Sequence, residues 1–172
     1  MRPIVAFLLL ATILGTVTPA LAVGIDVDRV RDGNIYLCPS CGKVIRTGHI
    51  GENAELLLAD ALKRQLSSRG IPFAESTERA GIHLAILIYR FEERRGGNLA
   101  VDRPASVGFH AHLYNGPVLV KTAVFDETQE PLSDNILRFP TFMKRGGRWI
   151  TVEELAREGV EKVLDTLEKD LR

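Results

Sequence analysis

The sequence predicts an α+β fold: a mostly antiparallel sheet of about four strands, with two amphipathic helices packed on one of its faces. Three observations favour it. Apolar residues recur at helical spacing over residues 51–70 and again from residue 151 to the end. A long apolar strand, residues 82–91, lies between them. A β-hairpin then covers residues 106–125. A helix with one apolar stripe must bury that stripe, and a sheet face provides the surface for it.

The two helices carry their own start and stop signals. The first begins with acidic residues, ends with basic ones, and stops at Gly70 before Pro72, as the helix dipole and chain geometry favour. The second begins with Thr151 and Glu154, which have the spacing of a capping box. Its apolar stripe continues to the carboxyl end. Both helices should therefore pack on the sheet.

The strands are read from alternation and from turn residues. Residues 34–38 form a short strand, and residues 82–91 a central one. Asn115-Gly116 favours a two-residue turn that pairs Tyr114 with Pro117. This register assigns one hairpin face to the core: Val107, Phe109, Ala111, Leu113, Val118, Val120, Thr122 and Val124. The other face is partly wet: Gly108, His110, His112, Tyr114, Leu119, Lys121, Ala123 and Phe125.

The amino terminus has the features of a cleavable export signal. Arg2 precedes an apolar run over residues 4–14, and Ala20-Leu21-Ala22 gives a small-x-small cleavage site. The run is shorter than the ~20 residues that span a bilayer, so no stable transmembrane anchor should remain after cleavage. We therefore expect a signal peptide, residues 1–22, and a single periplasmic or extracellular domain, residues 23–172.

Composition and motifs argue against several functions. The chain has 22 Lys and Arg against 22 Asp and Glu, which does not favour binding to a nucleic-acid backbone. No nucleophile elbow, phosphate loop or zinc-protease helix occurs in the sequence. Carboxylates are frequent over residues 126–135, where a hydrolase is a distant alternative to a solvated connection. The sequence thus gives little support to an enzyme.

Cys38-Pro39-Ser40-Cys41 is the sharpest motif in the chain. Two cysteines at this spacing form a structural disulfide, cycle between dithiol and disulfide, or supply one knuckle of a zinc site. All three readings remain open. For zinc, His49 is the predicted third ligand because it is close in sequence. The fourth would come from a carboxylate or from one of three histidines: His83, His110 and His112.

His110 and His112 lie two residues apart on one strand face, a spacing that some metal sites use. The predicted hairpin register places Lys121 opposite His110 and Leu119 opposite His112. A neighbouring ammonium disfavours a bound cation, so ordinary, partly exposed strand histidines are the favoured interpretation. His83, in an apolar strand, is predicted to be a hydrogen-bonded core residue.

Residues 139–149 combine aromatic side chains, a methionine and basic residues around Gly146-Gly147. Four of them suit a partner-binding surface: Phe142, Arg145, Arg148 and Trp149. The same stretch would also suit a loop that folds over the sheet and buries its aromatic rings. Both interpretations remain open.

The order of elements resembles small bacterial envelope accessory domains. The helix ending in residues 66–71, the buried strand, the long hairpin and the terminal helix are similar to the amino-terminal domain of TolB and to CsgG/LpoB-like lipoproteins. Residues 125–129 and 146–149 also resemble uncharacterised exported bacterial proteins. The resemblance implies a domain that binds or assembles with envelope proteins and catalyses nothing. Unlike the lipoproteins, this chain has no lipid-acceptor cysteine.

Two functions follow from the sequence. The first is a non-enzymatic periplasmic accessory protein that acts through contacts with envelope proteins and needs no cofactor. The alternative is a zinc-binding or thiol–disulfide-active protein that uses Cys38 and Cys41.

Overall fold

The computed structural model describes residues 22–31, 35–78, 81–96, 101–130 and 135–171. The predicted signal peptide lies outside these residues except for Ala22, so its cleavage and the domain limits stay predictions. Within the described ranges, no helix combines the length and the apolarity needed to cross a membrane.

A five-stranded mixed sheet forms the centre of the molecule, in the order β4-β1-β5-β8-β9. Strand β1 pairs in parallel with both β4 and β5, while β5-β8 and β8-β9 are antiparallel. Two further two-stranded sheets are β2-β3 and β6-β7. The strands are β1 Val23–Arg29, β2 Ile35–Leu37, β3 Val44–Arg46, β4 Phe73–Glu75, β5 Ile82–Glu92, β6 Arg95–Gly96, β7 Val101–Arg103, β8 Ser106–Asn115 and β9 Val118–Thr128.

Helices α1 (Ala54–Ser68) and α3 (Val152–Leu167) bury their apolar stripes in the main core, which also takes side chains from β1, β5, β8 and β9. The predicted capping box at the start of α3 is present. A 3-10 helix (Ile136–Arg138) and the short helix α2 (Phe139–Lys144) occupy part of the predicted loop. The α+β character of the prediction is therefore confirmed.

The prediction of a mostly antiparallel sheet of about four strands is wrong, because it lacked β1 and β4, whose pairings are parallel. Residues 23–29 alternate apolar and polar side chains, but they directly follow the predicted cleavage site and carried no turn signal. The strand pairs in parallel with β5 over Gly24–Arg29 and makes the sheet mixed. The predicted strand 34–38 exists as Ile35–Leu37, but it belongs to the separate β2-β3 hairpin and not to the main sheet.

The predicted register of the β8-β9 hairpin is also wrong. Asn115 pairs with Val118, so the turn residues are Gly116 and Pro117. Val120 is an extra residue in β9, because Tyr114 pairs with Leu119 and Leu113 pairs with Lys121. A one-residue bulge exchanges the two faces of everything beyond it.

This exchange changes what lies on each face of β9. Ala123 and Phe125 enter the main core, whereas Val120 and Val124 are exposed. Lys121 moves to the helix side, where its Nζ donates to the Thr166 carbonyl and pairs with Asp170, both at 2.9 Å. The residue opposite His110 is therefore Val124 and not a lysine.

The second face of the sheet is covered by the β2-β3 hairpin. Tyr36 and Ile45, which pair across it, point inward and join a second apolar cluster with Tyr89 of β5. Tyr89 lies flat over Gly108 of β8, where an added Cβ would stand 2.4 Å from the ring. Because Gly108 has no side chain, the Tyr89 ring can pack directly against the sheet at this position. The connection between β2 and β3 carries the two cysteines.

Candidate metal centre

The two cysteines lie on a tight turn between β2 and β3. The Cys38 N–H donates to the Lys43 carbonyl and the Gly42 N–H donates to the Cys38 carbonyl, both at 2.9 Å. Gly42 has a φ of 68°, a conformation that favours glycine. Cys38 is 1% exposed and belongs to the second apolar cluster, while Cys41 is partly exposed at its edge. The turn directs both sulfur atoms toward the sheet.

The two histidines beneath the turn come from β8. Its odd-numbered residues point into the main core, so His110 and His112 share the opposite face and are 4% and 2% exposed. Their ring centroids are 5.7 Å apart. Tyr89 stands edge-on to His110 with its centroid 5.4 Å away. Strand pairing on both sides and this aromatic contact hold the rings in place.

The cysteines and histidines meet in one cluster. Cys38 Sγ lies 3.3 Å from His112 Nε2, and Cys41 Sγ lies 3.6 Å from His110 Nδ1. One ligand atom from each of the four residues lies within 4.8 Å of all the others. Zn–S bonds of ~2.3 Å and Zn–N bonds of ~2.1 Å place tetrahedral ligands roughly 3.3–3.8 Å apart. A small contraction of the cluster reaches that geometry.

Burial shifts the pKa of two members of the cluster, His110 and Cys41. It lowers the pKa of His110, with Lys43 adding to the effect, so the imidazole is neutral at neutral pH and can donate a lone pair to a metal. Burial also raises the pKa of the Cys41 thiol above its ordinary value. A metal ion that binds here must therefore displace protons from sulfur, and its affinity should rise with pH.

Of the residues predicted to bind metal, Cys38 and Cys41 are in the cluster and His49 is outside it. His49 is exposed, and its backbone N–H donates to Glu92 Oε1 at 2.9 Å. His83 is buried on β5 beside the Tyr114 ring, also outside the cluster. Over the described ranges, no second group of three or more cysteine, histidine or acidic residues has ligand atoms so close together.

The carboxylates of residues 126–130 form ion pairs. Asp126 pairs with Arg90, and Glu130 lies 3.9 Å from Arg138. Glu127 pairs with Arg145 at 2.8 Å. These contacts account for the described acidic side chains of this stretch, whose remaining positions 131–134 lie outside the described residues.

The four predicted partner-binding residues have different surroundings. Trp149 is buried and stacks edge-on against Phe142 at 5.2 Å between centroids. Arg145 is held between Glu127 and Glu158. Arg148 is half-exposed and forms two hydrogen bonds with Glu154, at 2.5 and 2.8 Å. Within this segment Trp149 is thus part of the packed molecule, while Arg148 faces solvent.

Exposed apolar side chains lie just before these residues. In the segment Ile136–Met143, which we call the apolar segment, four side chains are between 49% and 84% exposed: Ile136, Leu137, Phe139 and Met143. Phe139 and Met143 belong to the stretch 139–149 considered in the sequence analysis, whereas Ile136 and Leu137 precede it. The sequence pattern does not show which of these side chains face outward.

No protein-family model matches the sequence, and no curated protein matches it. Among solved structures, a Xanthomonas campestris protein of family DUF330 is 19% identical, with 87% of this chain and 88% of that chain covered and a TM-score of 0.46. A PelC dodecamer from Paraburkholderia phytofirmans is 15% identical over 85% and 90%, with a TM-score of 0.39. A minor lipoprotein from Acinetobacter baumannii is 8% identical over 86% and 95%, with a TM-score of 0.38.

Likenesses with such TM-scores carry no conclusion about the fold or function of this chain. The predicted resemblance to TolB and to CsgG/LpoB-like domains is not shown by them and stays a prediction.

Proposed function

We propose that this chain is a zinc-binding protein whose ion joins the β2-β3 hairpin to the main sheet. The observation that carries the proposal is the cluster of two sulfur and two imidazole nitrogen atoms, all within 4.8 Å of one another. Two thiolates and two neutral imidazoles are the donor set of a structural zinc site. Cys38, Cys41, His110 and His112 are the four ligands.

A structural role fits better than a catalytic one. Four protein ligands complete a tetrahedral shell, whereas catalytic zinc keeps one position open for water or substrate. Three of the four ligands are also buried. The ion would connect parts of the chain that are 69 and 74 residues apart in sequence. Strands of three residues bury little apolar surface, and an isolated two-stranded hairpin is only marginally stable. A metal ion bound to both parts would stabilise the hairpin on the sheet.

The proposal is tested by counting zinc in the purified protein. Native mass spectrometry and elemental analysis of the full chain should find one zinc ion per molecule. His110→Gln and His112→Gln should each lower zinc affinity by at least about tenfold, because even the loss of a group that only supports a ligand costs ~10–100-fold in affinity. His49→Gln, which changes an exposed histidine outside the cluster, is the matched control and should keep the ion.

Two results would contradict this ligand set. A chain that takes up no zinc when reduced and supplied with excess metal has no such site. Loss of zinc from His49→Gln with retention in His110→Gln would instead support the ligand predicted from sequence proximity.

We also infer a second role, as an exported accessory protein that contacts other envelope proteins. Its support is the apolar segment, where exposure of neighbouring Leu137 and Phe139 at 84% and 49% is typical of a protein-binding patch. A photo-crosslinking residue at position 137 should give one defined crosslinked product in cells, whereas the same residue at exposed Lys169 should not. The same diffuse products from both positions would argue against a specific partner.

A further inference from the structure

The two sulfur atoms of the cluster differ in accessibility. Cys38 is 1% exposed and is enclosed by Val30, Ile45 and Tyr89. Cys41 lies at the edge of that cluster and is partly exposed. A reagent in solution therefore reaches Cys41 in the folded protein but reaches Cys38 only when the hairpin opens. This order is the reverse of a redox helix, in which the first cysteine of the motif is the accessible one.

The same two sulfur atoms are also close enough to react with each other. They lie within 4.8 Å, on a turn whose backbone is fixed by the hydrogen bonds of Cys38 and Gly42. Cysteines three positions apart on one turn have Cα atoms roughly 7 Å apart or less, close to the range that a disulfide spans. Since both thiolates serve as metal ligands, a disulfide between them removes half of the ligand set in one step.

We propose that the cluster is also a thiol–disulfide exchange site, in which Cys41 attacks a disulfide of another molecule, Cys38 resolves the mixed disulfide, and the metal ion leaves. This inference rests on the proposed zinc site for its last step only. The first two steps depend on the accessibility of the thiols and hold for the metal-free protein as well.

The steps balance in atoms and electrons. The Cys41 thiolate attacks one sulfur of the partner disulfide, so that a bond from Cys41 Sγ to that sulfur forms and the partner's S–S bond breaks. The first partner thiolate leaves. The Cys38 thiolate then attacks Cys41 Sγ, the internal disulfide forms, and the second partner thiolate leaves. Two electrons pass to the partner disulfide, and the ion, left with two imidazoles, departs as Zn²⁺.

Oxidation would then loosen the hairpin. Tyr36 and Ile45 still contact the second apolar cluster, but the link from the turn to β8 is lost. Disulfide formation at the cluster would therefore make the β2-β3 hairpin more mobile when the surrounding solution is oxidising.

The order of attack is tested with glutathione disulfide on the folded full chain, followed by intact mass and peptide mapping. Cys38→Ser should accumulate a stable glutathione adduct on Cys41. Cys41→Ser should react at least about tenfold more slowly, because its remaining thiol, Cys38, is buried and requires local opening of the hairpin. The unchanged protein should lose two hydrogens without keeping an adduct. In denaturant the two variants should react at similar rates.

Zinc release is measured separately, with a chromogenic chelator on the zinc-loaded protein. Release should follow formation of the internal disulfide with the same time course. Equal reactivity of the two folded variants, or an adduct on Cys38, would overturn the exchange proposal even where zinc binds. A glutathione adduct on Cys41 of Cys38→Ser, with a slower Cys41→Ser reaction, in a chain that never binds zinc would support the order of attack and contradict the zinc site alone.

Discussion

Close contacts between single residues determine how near the helix layer packs to the sheet. Gly159 of α3 faces the Phe125 ring of β9, and a Cβ at this position would stand 2.5 Å from the ring. Phe125 is itself buried against Phe109, with ring centroids 5.6 Å apart. The ring cannot move away without disturbing the main core. Glycine in the middle of this helix is therefore explained by packing.

We expect Gly159→Ala to lower the free energy of unfolding by about 1 kcal/mol. Alanine normally stabilises a helix by ~1 kcal/mol relative to glycine, but overpacking a core costs ~1–3 kcal/mol. Urea denaturation followed by circular dichroism measures the difference. Glu161→Ala, at an exposed position of the same helix, is the control and should change stability little. A stabilised Gly159→Ala protein would mean that the helix has room to move.

Single residues also explain why the sequence did not show that His110 and His112 lie beside the cysteines. His110 and His112 stood out by their spacing, but the predicted register placed Lys121 beside them. The unpaired Val120 exchanges the faces of β9 and removes that lysine. A single bulged residue leaves no mark in hydrophobic periodicity. Sequence proximity alone could therefore not favour His110 and His112 over His49.

Among the elements, α3 has the best-defined beginning. The Glu154 N–H donates to Thr151 Oγ1 at 3.2 Å, and the Thr151 N–H donates to Glu154 Oε2 at 2.9 Å. Arg148 and these Thr151 contacts lower the pKa of Glu154 from 4.5 to about 2. The folded state thus favours the ionised carboxylate. Its stabilising effect is present above pH 4.5 and is lost as the pH falls toward 2.

We predict that Thr151→Ala costs about 1 kcal/mol of stability at neutral pH, as loss of a helix cap usually does. Glu154→Gln should flatten the loss of stability between pH 4.5 and about 2. Thermal unfolding at neutral pH measures the first effect, and thermal unfolding from pH 4.5 down to about 2 measures the second. The matched control is Glu153→Gln in the same helical turn, which should keep the pH dependence of the unchanged protein. An unaltered slope in Glu154→Gln would show that other groups determine acid stability.

The β2-β3 hairpin is the element that should depend most on the proposed zinc site. Its strands have three residues each, and its inward side chains are one apolar pair and the two cysteines of the cluster. Chelation of zinc should therefore speed amide hydrogen exchange in residues 35–46 while β5 and β8 stay protected. Hydrogen-exchange mass spectrometry with and without chelator checks this. Equal protection in both states would mean that apolar contact alone secures the hairpin.

Elements that depend on residues close together in sequence could be predicted, whereas elements that depend on pairing with distant residues could not. Helices α1 and α3 follow from residues three and four positions apart, and both are present close to the predicted bounds. Strand β4 has only three residues and no pattern to read. Strand β1 pairs in parallel with β5, which is distant in sequence. The cysteine turn was visible in the sequence, but its position over β8 was not.

At the scale of the whole molecule, the sheet separates two different interiors. The helix side is a continuous apolar core, while the other side combines a small apolar cluster with the cysteines and histidines. The first face was predictable because hydrophobic patterns describe a core. The second face is formed when the β2-β3 hairpin folds back over the sheet, and neither composition nor hydrophobic periodicity predicts this arrangement.

Export is the prediction that concerns the whole chain. Protein recovered from the periplasm should lack residues 1–22, because the apolar run and the small residues before Val23 form a cleavage signal. Intact-mass spectrometry of the periplasmic fraction checks the new amino terminus. Ala20→Leu with Ala22→Leu, which removes the small residues, should leave the longer chain. Recovery of the full-length unchanged protein from the membrane fraction would show an uncleaved anchor instead.

The interior position of β1 has a consequence for the route by which the protein folds. The β8-β9 hairpin joins neighbours in sequence, and β5 needs only the short connection before β8 to join them. Strand β1 must instead close a loop that contains the β2-β3 hairpin, α1 and β4 before it meets β5. Closing such a long loop is slow, because its conformational entropy is lost before the contacts between β1 and β5 can form. We therefore expect β1, the first strand of the sheet in sequence, to be the last one to pair.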